Sequence, residues 1–245
     1  MSVIGLFSVK GSPGTTTLAV AIAAHGRSVG HGAVLIEADT AGGDLALRYG
    51  IAQQPGLAQL AARTRHIGDR RGVLDGLART INSEAGAPVD LVSAPVEPAA
   101  VEAAVTALHA NPEVLAAAGR GRRVLLDLGR LDAASAGSGL LGSCDLAVMV
   151  VRGDAVSLGH AREAAWVANL PVRCGFVLID TGPYRVGEVA EVLAVDCFGT
   201  IPADVRGPMR GRRAARAVGA LWAGLATEPP MREPATARDL VEVQR

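Results

Sequence analysis

Apolar residues in this chain come in short unbroken runs separated by polar, glycine-bearing turns. Residues 2–9 (SVIGLFSV), Ala33–Ile36, Asp90–Ser93, Arg123–Leu128, Leu146–Val151, Cys174–Ile179 and Asp196–Thr200 are such runs. Runs that are apolar throughout, rather than alternating, belong to strands covered on both faces. Between them lie stretches at helical spacing: residues 18–30, 57–82 with an interruption around Gly68–Gly72, 99–118, 156–169 and 186–194. Strands that alternate with helices build parallel βαβ units. The pattern therefore predicts an α/β fold: a doubly wound, mostly parallel sheet of about seven strands with helices on both faces. Near the end, Val218, Leu221, Trp222 and Leu225 are spaced as the buried stripe of an amphipathic helix. Beyond it the composition turns rich in proline and charge, which predicts a single domain over 1–227 and a mobile tail over 228–245.

Composition narrows the class. At 245 residues with 49% hydrophobic and 20% charged side chains, the chain has material for a full core and is not intrinsically disordered. Twenty-four basic residues balance 24 acidic ones, so the overall field selects neither nucleic acid nor a membrane as a necessary partner. Cys144, Cys174 and Cys197 fit neither a disulfide framework nor a CxxC motif, which points to a reducing cytoplasm. The first residues lack a basic segment followed by a long apolar one, and no stretch approaches the ~18 apolar residues of a membrane span. The expectation is a protein that is neither exported nor membrane-spanning. His25, His31, His66, His109 and His160 stand at no metal-ligand spacing, and no G-x-S-x-G elbow marks a serine hydrolase.

The candidate chemistry lies after the first strand. In a doubly wound sheet, ligands bind beyond the carboxyl ends of the strands. The loop there reads Lys10-Gly11-Ser12-Pro13-Gly14-Thr15-Thr16-Thr17. Its glycines allow the backbone close to an anion, consecutive N–H groups can surround it, and the helix that follows contributes the positive end of its dipole. A phosphate site follows from this, against the plainer reading of a threonine-capped βα turn. Lys10 is also the only lysine in the chain, so the other 23 of its 24 basic residues are arginine.

These residues resemble the deviant Walker A loop, K-G-G-x-G-K-T-T, of the MinD/ParA family of P-loop ATPases. Lys10, Gly11, Gly14, Thr16 and Thr17 match it, Ser12 replaces a glycine, and Thr15 replaces the Walker lysine. The resemblance implies a P-loop NTPase fold, ATP and Mg²⁺ as ligands, and a homodimer formed on nucleotide binding in which Lys10 reaches the partner's phosphates. The lysine replaced by Thr15 would normally hold the β- and γ-phosphates as a point charge, so its loss implies weak or absent hydrolysis.

Further positions extend the resemblance over residues 2–226. Val34–Asp39 (VLIEAD) with Gly42-Gly43 resembles the family's second strand and switch I. Asp39 then takes the place of the carboxylate that orients the attacking water and counts with Thr16 and Asp127 among the metal-site residues, while Glu37 replaces the first aspartate, a change that could displace the magnesium shell. Arg123–Gly129 resembles Walker B and gives Asp127 the role of holding Mg²⁺ through water, together with the Thr16 hydroxyl. Val177–Asp180 stands where the family has a strand ending in an adenine-binding asparagine; Asp180 can accept from the adenine amine but cannot donate to a ring nitrogen. Gly199–Asp204 resembles the G-x-I-P-x-D turn, with Pro202 closing over the base.

Arg206, Arg210, Arg212, Arg213 and Arg216 precede the final apolar stripe. Such a patch could meet DNA phosphates or anionic lipid, as in the family, placing the protein at the nucleoid or the inner membrane face; a solvated helix face is the plainer reading. The C-terminal VEVQR is too short and too weakly basic for a membrane anchor. The resulting expectation is a nucleotide-dependent dimerisation switch that positions a cell-division, DNA-segregation or envelope-associated machine through a protein partner. The alternative is a degenerate, non-enzymatic scaffold, favoured by Ser12, Thr15, Glu37 and Asp180. A metabolic P-loop kinase or ligase would need a substrate constellation that the sequence lacks.

Overall fold

Each unbroken apolar run forms a strand. The computed structural model describes residues 2–11, 14–65, 72–180, 182–202 and 211–225. In chain order the elements are β1 (Val3–Ser8), α1 (Thr15–Ser28), β2 (Ala33–Glu37), α2 (Leu45–Arg48), α3 (Leu57–Ala62), β3 (Arg79–Asn82), β4 (Pro88–Val92), α4 (Pro98–His109), α5 (Glu113–Ala118) and β5 (Arg123–Arg130). They continue as α6 (Ala136–Leu141), β6 (Leu146–Arg152), α7 (Ala155–Glu163), β7 (Cys174–Asp180), α8 (Val186–Leu193), β8 (Asp196–Pro202) and α9 (Arg212–Gly224). The strands form one eight-stranded sheet in the order β3-β4-β2-β5-β1-β6-β7-β8, parallel throughout except for β3, which pairs antiparallel with β4.

Three expectations change in detail. The strand count rises from seven to eight because β3 falls inside 57–82, which was expected to be helical. Only Ile81 of that strand is buried, so an edge strand of this kind leaves no apolar run in the sequence. The helix over 99–118 divides into α4 and α5 where Pro112 removes an N–H and restricts Asn111 before it. The helix over 156–169 ends as α7 at Glu163, and a 3₁₀ segment, Ala165–Asn169, follows. The tail expected over 228–245 lies outside the described residues.

Both faces of the sheet are covered. Val3 and Phe7 of β1 pack into one core beneath α3 to α8, and Ile4 and Leu6 pack into the other, beneath α1 and α9. Phe7, Ile4 and Leu6 are fully buried, each contributing about 1.5–3 kcal/mol by leaving water. This alternation within a wholly apolar strand is what a central strand with two covered faces requires. α1 packs on the sheet beside α9, and nine of its 14 residues are buried, from Thr15 to Gly26. Burial on this scale fixes the first turn of α1 at the carboxyl end of the central strand. The chain runs from β1 to both sides of the sheet, with β5 on one flank and β6 on the other, so the β1–α1 loop opens at the topological switch point.

Candidate functional site

Strand register assembles the site. Leu6 of β1 and Glu37 of β2 both pair with Asp127 of β5, so two acids from distant sequence positions arrive beside the end of β1. Asp39 lies two residues beyond Glu37, and Lys10 two beyond Ser8. The far wall is built likewise: Asp180 and Pro202 are register partners at the ends of β7 and β8. They stand two and three strands from β1, about 10–15 Å at the usual strand spacing, a distance that a nucleotide can span between phosphate and base.

The loop itself suits an anion. Gly14, with φ 98°, is the N-cap of α1 and brings no side chain to the first-turn N–H groups, and that turn carries no acid. The space where a Cβ of Gly11 or Gly14 would lie is open for 4 Å. Thr15 is buried, while Thr16 and Thr17 are half-buried. Ser12 and Pro13 lie outside the described residues. Lys10 is half-buried in the bend that leaves β1.

Among the described residues three buried side-chain polar atoms lack a hydrogen-bond partner, and two of them, Thr15 Oγ1 and Asp127 Oδ2, belong to this site. Buried polar atoms are nearly always paired, so an orphan asks for a ligand, ion or water. Asp127 is 1% exposed. Burial pushes its carboxyl pKa from 3.8 up to about 7, with the negative charges of Asp39 and Glu37 adding to the shift, while the Thr16 hydroxyl and the Gly129 N–H pull it back. The Gly129 N–H donates to Asp127 Oδ1 at 3.2 Å. Gly129 also has φ +60°, and a Cβ there would collide with the Asp39 carboxylate. Glycine is therefore required at the end of β5 on two counts. Asp39 accepts from the Ala41 N–H at 2.9 Å, and burial raises its pKa against that bond, with Asp44 adding repulsion.

Glu37 does something its alignment with an aspartate did not suggest. It is 2% exposed, and its carboxylate accepts three backbone N–H groups: Asp44 at 2.7 Å and Leu45 at 2.8 Å on Oε1, and Ala94 at 2.9 Å on Oε2. It thereby ties the Asp39–Asp44 loop and the start of α2 to the end of β4. Burial raises its pKa and the three N–H groups oppose the rise. The longer glutamate side chain is spent on backbone capping. Its partners are main-chain groups, which leave no pattern in a sequence.

Lys10, Gly11, Gly14 and the three threonines after it, Asp39 and Asp127 are thus brought to one end of the sheet, with Asp180 and Pro202 two and three strands away; the side chain of Asp180 lies outside the described set. No group of three or more His, Cys, Asp or Glu among the described residues forms a metal cage. A hard divalent cation here would take a threonine hydroxyl, a carboxylate held through water, and oxygens from a bound phosphate, and Thr16 with the orphaned Asp127 Oδ2 suits that donor set. The arginine patch is seen in part: Arg212, Arg213 and Arg216 are exposed on α9, whereas Arg206 and Arg210 lie outside the described residues. No helix among the described residues is long and apolar enough to cross a membrane.

This open α/β sheet, with a glycine loop at its switch point and a carboxylate at the adjoining strand end, has the fold of solved MinD and ParA structures. The septum site-determining protein MinD of Pyrococcus horikoshii OT3, complexed with Mg-ADP, superposes with TM-score 0.71 at 17% identity over 92% of this chain and 96% of that one. The cell division ATPase MinD of Pyrococcus furiosus gives 0.70 at 18%, over 91% and 98%, and a ParA family ATPase of Chlorobium tepidum TLS gives 0.63 at 18%, over 92% and 91%. At such identities the likeness establishes the fold. No protein-family model and no curated protein matches the chain.

Proposed function

We propose that this chain is a nucleotide-dependent dimerisation switch that binds Mg²⁺-ATP at residues 10–17 and hydrolyses it slowly or not at all. The observation that carries the reading is the pair of orphaned buried atoms, Thr15 Oγ1 and Asp127 Oδ2, at the uncapped start of α1. A scaffold has no reason to keep a fully buried carboxylate with one oxygen left without a hydrogen bond, because that arrangement opposes folding. A ligand-binding site does. The P. horikoshii MinD, complexed with Mg-ADP, has the same fold.

In this reading the first-turn N–H groups of α1 and the loop backbone hold the phosphates, and Lys10 crosses to the partner subunit's nucleotide. Mg²⁺, held by Thr16 and Asp127, would supply charge neutralisation at the phosphate oxygens. Asp39 orients water, its carboxylate held against Gly129 and by the Ala41 N–H. Asp180 and Pro202, register partners at the ends of β7 and β8, belong to the base end of the site. Thr15 supplies no cation, which is why turnover is slow. The dimer positions a cell-division, DNA-segregation or envelope-associated machine through a protein partner, in the cytoplasm, at the nucleoid or at the inner face of the membrane. Arg212, Arg213 and Arg216 are the exposed basic residues available for a nonspecific anionic surface.

The test is calorimetric titration with Mg²⁺-ATP and Mg²⁺-ADP, with particle size by light scattering on the same samples. Micromolar ATP binding with doubling of mass is expected. Absence of binding at millimolar ATP would leave the non-enzymatic scaffold as the function.

A further inference from the structure

The final helix packs along α1, the helix that follows the glycine loop. α9 lies along α1: a Cβ on Gly26 would meet the Trp222 ring at 2.5 Å, and one on Gly219 would meet the His25 ring at 3.0 Å. Arg123 locks this contact from below, its guanidinium 3.8 Å from the centre of the Trp222 ring and its Nη1 donating to the Trp222 carbonyl at 3.0 Å. Each helix follows a strand of the parallel part of the sheet, β1 before α1 and β8 before α9, so both start at the same end of the molecule. The paired contacts, 25 with 219 and 26 with 222, ascend together, as parallel helices require.

Arg212 lies seven residues before Gly219, so it shares that residue's flank of α9, the one turned to α1, about 10 Å nearer the helix start. Counting back equally along α1 from His25 puts Arg212 level with Leu18. Helical side chains lean toward the N-terminus, so the Arg212 side chain, when extended, can reach from the level of Leu18 toward that of Gly14 and Thr15. Packed helices are separated by about 8–10 Å, which an extended arginine can cross. Arg216 belongs to the same stripe but one turn lower. Arg213 is turned about 100° away from Arg212, toward the outer face. Arg212 is exposed and forms no ion pair among the described residues.

We propose that Arg212 supplies, from α9, the positive charge that Thr15 removes from the phosphate loop. The inference rests on the reading that residues 10–17 bind nucleotide, and it assigns the missing contact to a named residue. A second observation lies at the same end of α1: Thr15 Oγ1 is buried and has no hydrogen-bond partner among the described residues. Such a cation differs in kind from a Walker lysine. It comes from a separate helix, and its planar fork grips phosphate oxygens in pairs. Ligand binding would then tighten α9 against α1, and what α9 carries on its outer face would feel the nucleotide.

Calorimetry with Mg²⁺-ATP, on the full chain and three variants, tests it. Arg212→Ala should weaken ATP binding about 10- to 100-fold, the scale of one lost charge-assisted contact. Arg213→Ala should stay within about twofold, since it changes net charge equally without facing α1. The double variant Thr15→Lys/Arg212→Ala should recover the lost affinity, because the charge returns by the other route. Circular dichroism melting confirms that each variant is folded. ATP binding in the unaltered protein with no loss in Arg212→Ala, or an equal loss in Arg213→Ala, overturns the role given to Arg212 and leaves the nucleotide site standing. Failure of the unaltered protein to bind ATP at millimolar concentration overturns both.

Discussion

Asp127→Asn is the most informative single change. In the protein free of nucleotide and metal, the Asp127 carboxyl has its pKa raised from 3.8 to about 7. Its folded pKa lies above its unfolded one, so the native state holds this proton more tightly. The group's contribution to stability is complete below pH 4 and is lost as the pH rises to 7. Above pH 7, folding must bury the charged carboxylate, at a cost of about 4 kcal/mol for a shift of this size. Asparagine has the same shape, keeps an oxygen for the Gly129 N–H, and carries no charge. In EDTA at pH 8 the variant should therefore be more stable than the unaltered chain by up to about 4 kcal/mol. Its midpoint should rise by up to roughly 8–16 °C, given about 2–4 °C per kcal/mol for a chain of this size. Thermal melts at half-unit steps from pH 4 to 8 should show stability falling with pH in the unaltered protein and a flatter profile in Asp127→Asn. Mg²⁺-ATP affinity should fall in the same variant, which is the usual exchange between stability and function at a binding site. A variant that is destabilised at every pH, or that keeps the full slope, would refute the account of Asp127 as a buried charge kept for a ligand.

Three further outcomes are expected. Glu37→Ala leaves the N–H groups of Asp44, Leu45 and Ala94 without their acceptor and should cost about 3 kcal/mol in urea denaturation, tempered because Asp44 is exposed and can regain water. Loss of protection at the Asp44, Leu45 and Ala94 amides in hydrogen exchange would locate the effect. Thr15→Lys should raise ATP affinity or turnover at least about tenfold in a coupled phosphate-release assay; an unchanged value in both would mean that the loop has been abandoned. Lys10→Ala should leave ATP binding to the monomer largely intact and abolish ATP-dependent dimers in light scattering, whereas unaltered dimers would exclude its action across the interface.

The readable parts of the fold are those in which one strand or one loop declares itself. The runs SVIGLFSV, RVLLDL and LAVMVV are apolar throughout because β1, β5 and β6 are covered on both faces. Their order with the intervening helices is enough to place a glycine loop after β1. β3 escaped notice because an edge strand with one buried residue has almost no hydrophobic signature. The break between α4 and α5 was visible in Pro112 but was outweighed by the alanine-rich periodicity on either side of it.

The candidate site divides in the same way. Its phosphate loop is contiguous, so Lys10, Gly11, Gly14 and the three threonines could be read directly. Asp39 and Asp127 were assigned from the resemblance of VLIEAD and RVLLDLG to the family's switch I and Walker B segments. What sequence order could not convey is how those ends meet. The pairing of Glu37 with Asp127 is set by the register of β2 against β5, a long-range hydrogen-bond alignment that neither strand specifies alone. Glu37, which stands in place of the family's first aspartate, caps three main-chain amides, which have no side-chain identity to read. Arg212 looked like part of a generic basic patch until Trp222, wedged against Gly26, fixed the level at which α9 lies along α1. The sequence by itself determined the local chemistry: which segments are strands, where the backbone can approach an anion, and that Thr15 brings no charge there. Only the tertiary structure decided which charges share that space, because burial, register and helix docking depend on contacts between residues far apart in the chain.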